Sequence, residues 1–108
     1  MPGRTPDIVR WSVDKDGELT EQNMADKLTS LGYRVNRYIY PPGTYFPAHA
    51  HNVDKIDAVL AGQFKICMQD REHILEAGDW IEVPHGVIHS AEVIGDQPVL
   101  SLDAIKLT

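Results

Sequence analysis

The residues in this chain best suited to chemistry are histidines, and two of them stand one residue apart in His49-Ala50-His51. On a β-strand, residues i and i+2 point to the same face with Cα atoms roughly 6.5 Å apart. Two imidazoles at that spacing can both reach one metal ion at about 2.0–2.1 Å. Such pairs also occur on plain strand surfaces, so the spacing permits a metal site without establishing one. Of the other histidines, His85 stands between Pro84 and Gly86 and reads as a surface turn residue. His73 lies in a polar hairpin region and reads as exposed.

Positioning such a pair takes strands, and most of the chain reads as strands. Residues 1–7 form a loose arm rich in proline, Ile8–Val13 an edge strand, and Asp14-Lys15-Asp16-Gly17 a turn. One helix follows. Thr20 is a suitable N-cap, Glu21 complements the first turn, and Leu19 with Met24 has the spacing of a hydrophobic staple. Met24, Leu28 and Leu31 recur at helical spacing, and Gly32 is placed to end the helix. Strands are then predicted at Tyr33–Tyr40, Tyr45–His51, Ile56–Leu60, Gln63–Gln69, His73–Leu75, Asp79–Val83, Val87–Ile94 and Val99–Lys106. Between them lie turn clusters such as Pro41-Pro42-Gly43, Ala61-Gly62 and Pro84-His85-Gly86. Phe64, Ile66 and Met68 share one strand face, opposite Lys65 and Cys67. Many short strands at close spacing imply an all-β sandwich or barrel, with no parallel sheet and crossover helices.

Two stretches sharpen this. Gly43 through His49-Ala50-His51 to Gly62 resembles the first cupin motif, and Gly78-Asp79-Trp80-Ile81-Glu82-Val83-Pro84-His85-Gly86-Val87-Ile88-His89 resembles the second. The resemblance implies a cupin double-stranded β-helix, a jelly-roll barrel of six to eight antiparallel strands with one short N-terminal helix over one end or side. Residues 1–32 would form the arm, edge strand and helix, and residues 33–108 the barrel, as one domain. It further implies that His49, His51 and His89 converge on a divalent transition metal. Three neutral imidazoles leave positions open for water or substrate, as a catalytic site requires. They suit Fe, Zn, Ni or Mn without selecting one. The resemblance also implies a homodimer, with the N-terminal strand as an element that can be exchanged.

The chain departs from the motif at two positions. The motif's glutamate, usually the fourth ligand in the family, falls on Lys55, and its final asparagine on Val93. An ammonium about 5 Å from a divalent ion is repelled by roughly 6 kcal/mol at an effective dielectric of 20. Lys55 can therefore turn away and pair with Asp54 or Asp57, become neutral and serve as a base, or replace the metal with its own charge. Asp57 shares the strand face of Lys55, where it can supply a late carboxylate ligand or neutralise the lysine. Cupins with three histidines and no glutamate ligand do occur: the thiol dioxygenases and a diketone-cleaving dioxygenase resemble this arrangement in their ligand set and use iron.

Tyr38, Tyr45, Phe46, Met68 and Trp80 can line a pocket but suit a core or an interface equally, and Cys67 can look into the cavity. Glu82 alternates with Ile81 and Val83 and should face solvent. The net charge of −6 disfavours nucleic acid and anionic membranes as partners. The single cysteine rules out an internal disulfide. With no apolar leader after Met1 and no long apolar run, the expectation is a cytoplasmic protein. The functional expectation is a small metal-dependent enzyme, dioxygenase- or isomerase-like, acting on a small oxygen-bearing molecule. The alternative is a non-catalytic ligand-binding or sensing cupin, metal-free, with Lys55 contacting an anionic ligand.

Overall fold

Strand β4 (Lys55–Ala61) is buried on both faces, and the layout of the molecule follows from it. Its odd-numbered residues Lys55, Asp57 and Val59 look into the space between two sheets. Ile56 and Ala58 look the other way, into a second apolar cluster beneath a helix. The computed structural model describes residues 6–107; most of the arm expected over residues 1–7 lies outside them. One antiparallel sheet has five strands in the order β1 (Val9–Arg10), β7 (Asp79–Val83), β4, β9 (Val99–Lys106) and β2 (Tyr33–Tyr40). The other has four, β3 (Tyr45–His49), β8 (His89–Ile94), β5 (Gln63–Met68) and β6 (Arg71–Leu75). Facing antiparallel sheets around one core make this the all-β jelly roll that the motifs implied.

The inter-sheet core is built by alternation. Phe64, Ile66 and Met68 from β5 meet Val59 from β4, Ile81 and Val83 from β7 and Val99 from β9, all at most 3% exposed. The outer face of the five-stranded sheet is covered by helix α2 (Glu21–Ser30). Met24 and Leu28 are fully buried there against Ile56, Ala58, Trp80, Leu102 and Ala104. Thr20 caps the helix as expected, its Oγ1 accepting from the Asn23 N–H at 3.0 Å, and Gly32 follows with φ of +95°. Leu31 does not join the buried stripe; it is 47% exposed.

Several boundaries differ from expectation. The N-terminal edge strand is only Val9–Arg10, paired with β7, and the expected turn at residues 14–17 is instead a one-turn helix α1 (Val13–Asp16). Asp16 stabilises that turn by accepting from the Ser12 N–H at 3.1 Å. Strand β6 starts at Arg71 because the β5–β6 hairpin turns on Gln69 and Asp70, both at positive φ, as a two-residue turn requires. That earlier start corrects His73: it alternates with Leu75, lies opposite Ile66 and is only 6% exposed. Among the described residues its Nε2 has no hydrogen-bond partner. Burial first, then the charge of Arg71, hold its pKa below the ordinary histidine value, with Asp7 opposing them. Glu82 is exposed, as alternation predicts. Among the described residues, no helix is long and apolar enough to cross a membrane.

Candidate metal centre

His49 and His51 are not two positions of one regular strand. Strand β3 ends at His49, with a register irregularity between Phe46 and His49, and His51 lies in the segment beyond. The Gly86 N–H anchors that segment by donating to the His51 carbonyl at 2.7 Å. His89 opens β8 and pairs directly with His49 across the β3–β8 ladder. The three rings converge, with centroid separations of 4.7 Å for His49–His51, 4.4 Å for His49–His89 and 5.3 Å for His51–His89. One ring nitrogen from each lies within 4.8 Å of the others. Nδ1 of His49 is 2.7 Å from the Pro47 carbonyl and Nδ1 of His89 is 3.0 Å from the Val87 carbonyl. A carbonyl can only accept, so each Nδ1 carries the proton and each Nε2 keeps a free lone pair. Burial, followed by the charges of Lys55, His49 and His89, lowers the pKa of His51. Burial is also the main cause for His89, supported by His49 and Lys55 and opposed by the Val87 carbonyl. Both are therefore neutral at pH 7, the state in which imidazole is a ligand.

The cavity beside these rings encloses about 180 Å³ and crosses to the facing sheet. There it meets Lys55, Asp57 and Asp103. Lys55 does not turn away, and it pairs with neither Asp54 nor Asp57. Its Nζ donates to Asp103 Oδ2 at 3.1 Å and lies 2.9 Å from Oδ1, with the two side chains 12% and 17% exposed. Asp54 is taken by His85, whose backbone N–H and Nδ1 both reach Asp54 Oδ1, at 2.8 and 2.7 Å. His85 is thus the exposed turn residue expected, outside the cluster. Asp57 lines the cavity directly across the β4–β9 ladder from Asp103. Burial first and the Asp103 charge second push its carboxyl pKa up to about 7, against the opposing pull of Lys55.

Five other candidates fall elsewhere. Tyr38 and Tyr45 are 44% and 59% exposed and do not line this cavity. Tyr38 is on an edge strand and only stacks on Tyr40, with ring centroids 5.9 Å apart. Cys67 is on the outer face of β5, with its Sγ 4.0 Å from Glu72, because Phe64, Ile66 and Met68 take the inner positions. Met68 is core, 1% exposed and paired with His89, and with Cys67 it borders a separate open groove. Trp80 packs beneath α2. Of the aromatic candidates Phe46 does line the cavity, together with Tyr40 and Phe64; Tyr40 lies 5.0 Å from Phe46 and 5.6 Å from Phe64 between centroids. Asp103, Tyr40 and Phe64 line it without being expected there. Alternation along Val99, Ser101 and Asp103 puts Asp103 on the core side of β9, a signal available in the sequence. Its neighbour across the ladder was not.

The cupin domain family (Cupin_2) matches residues 36–105, and the chain belongs to it. No curated protein matches the chain. Among solved structures it is similar to the DMSP lyase DddQ from Ruegeria pomeroyi, at 26% identity and a TM-score of 0.63, over 70% of this chain but only 39% of that one. It is also similar to a cupin-2 domain containing protein from Shewanella frigidimarina, at 21% identity and TM-score 0.60, over 70% of this chain and 72% of that one. KdgF from a Halomonas species is similar at 20% identity and TM-score 0.58, over 68% and 85% of the two chains. At these identities the last two speak for the fold alone.

Proposed function

We propose that this protein is a small metal-binding cupin that acts as an enzyme. His49, His51 and His89 hold a divalent transition metal, and a small oxygen-bearing molecule occupies the positions left open. The observation carrying this reading is the convergence of the three ring nitrogens within 4.8 Å, two of them freed by Nδ1–carbonyl contacts. A bound metal would supply Lewis acidity, and with iron the activation of dioxygen. Lys55 is compatible with this because Asp103 neutralises it within the cavity. The same ion pair weighs against a metal-free pocket in which Lys55 grips an anion, since the ammonium is already engaged. A cavity of about 180 Å³ suits a molecule smaller than a typical drug-sized ligand.

Elemental analysis after reconstitution with Fe, Zn, Ni or Mn tests the reading. About one equivalent is expected in the wild type and in His85→Ala, and a loss of at least tenfold in affinity in His51→Ala. Less than about a tenth of an equivalent of every metal would overturn it.

A further inference from the structure

The facing wall of the cavity carries chemistry that the histidines do not account for. Asp57 and Asp103 are direct cross-strand neighbours on β4 and β9 and both line the cavity, and residues so opposed have Cβ atoms about 4.5–5.5 Å apart. Two ionised carboxylates repel each other at such a spacing, which favours a proton held between them. Asp103 Oδ1 is buried with no donor of suitable geometry among the described residues, although Lys55 Nζ stands 2.9 Å away. A proton on Asp57 would supply that donor.

We propose that Asp57 and Asp103 share one proton, and that this pair is the proton-exchanging group of the cavity, acting on an oxygen of the small ligand bound there. The ligand half of this inference rests on the metal-binding reading above; the shared proton does not. In donation the O–H bond of Asp57 breaks and its electron pair stays on the carboxylate. The proton then bonds to the ligand oxygen. The pair becomes doubly negative and the ligand gains one positive charge. Lys55, fixed on Asp103, offsets the added negative charge, and the reverse transfer restores the pair. No oxidant or further reactant is required.

The surroundings of Asp57 leave few rivals. On its own strand the charged neighbour is Lys55; across β9 it is Asp103; across β7 its partner is the apolar Ile81. From β2, Tyr40 lines the cavity, with burial first and Asp103 second holding its hydroxyl in the protonated form. From the facing sheet come His49, His89 and His51 beyond it, alongside Phe46, Phe64 and Ala91. The Nδ1 protons of His49 and His89 are committed to backbone carbonyls.

Carbon-13 NMR of the metal-free full-length protein, labelled at the aspartate carboxyls, tests the shared proton. One aspartate is expected to titrate near pH 7, to vanish in Asp57→Asn, and to move toward the ordinary carboxylate range in Asp103→Asn. If every aspartate in the wild type ionises below pH 5, the proposal is wrong; that measurement needs no variant. Should Asp57→Asn fail to fold, Asp57→Ser makes the same assignment.

The ligand half is tested by calorimetry of acetohydroxamic acid binding to the zinc-loaded protein at pH 8, in buffers of different ionisation heat. Hydroxamic acids lose a proton on binding metal. Whatever the zinc-bound water takes up in both proteins, the pair should capture a proton in the wild type, so that at least about half a proton less reaches the buffer than in Asp57→Asn. Equal release from both would overturn the ligand half. Failure to bind zinc would instead defeat the metal reading, with the shared proton still decided by NMR.

Discussion

Lys55 occupies the position where the cupin motif carries a glutamate, and the structure shows how a cation is tolerated there. Its ammonium is held on Asp103, so the pair adds no net charge to the cavity. Lys55→Glu should raise zinc affinity at least tenfold in competition with a chelating dye. It removes the nearby cation and offers a carboxylate oxygen. Unchanged affinity would show that position 55 does not reach the metal. Asp57 makes the opposite kind of prediction, about stability. Its pKa is raised to about 7 in the folded protein, so the folded state binds more protons than the unfolded one. This contribution is complete below the unfolded value of about 3.9 and is lost as pH rises to about 7. Asp57→Asn should therefore raise the melting temperature more at pH 8 than at pH 4, measured by calorimetry.

At the scale of elements, the cavity is held by what braces its walls. Helix α2 seals the sheet that carries Lys55, Asp57 and Asp103, and it does so through Met24 and Leu28. Leu28→Ala should cost about 2–5 kcal/mol in urea unfolding. Gly62, in the motif turn between β4 and β5, has φ of +83°, and a Cβ there would lie 2.4 Å from the Pro98 carbonyl oxygen. Gly62→Ala should cost about 1–3 kcal/mol from backbone strain alone, with more from displacing the 95–98 turn. A cost within the error of the urea measurement would show that the turn yields easily. The helix, its cap and most strands were legible because periodicity and turn residues are local. The bulge that ends β3 early was not, because it depends on pairing with β8.

For the molecule as a whole, acid is the expected weak point. His51, His73 and His89 all have folded pKa values below their unfolded value, chiefly through burial. The unfolded chain therefore binds more protons as pH falls below about 6.5, and stability declines through that window. Of the three, His73 lies away from the histidine cavity, with an Nε2 unpartnered among the described residues. His73→Leu should raise the melting temperature, and the gain should be larger at pH 5 than at pH 8. An equal gain at both pH values would assign the effect to packing alone.

By itself the sequence determined the cupin jelly roll, the capped helix and the identity of three histidines as a set. These rest on local spacing: glycines where turns need positive φ, alternation along strands, and two motifs at fixed separation. The tertiary structure decided what faces them. Asp103 lies 48 residues from Lys55 in the chain and becomes its partner only when β9 pairs with β4. Likewise His73 is buried, and Cys67, Tyr38 and Tyr45 are left outside the cavity, by hairpin register and edge position. The three-histidine centre was readable because its members sit in recognisable motifs. The carboxyl pair across from it was not, because cross-strand neighbours far apart in sequence leave no local pattern.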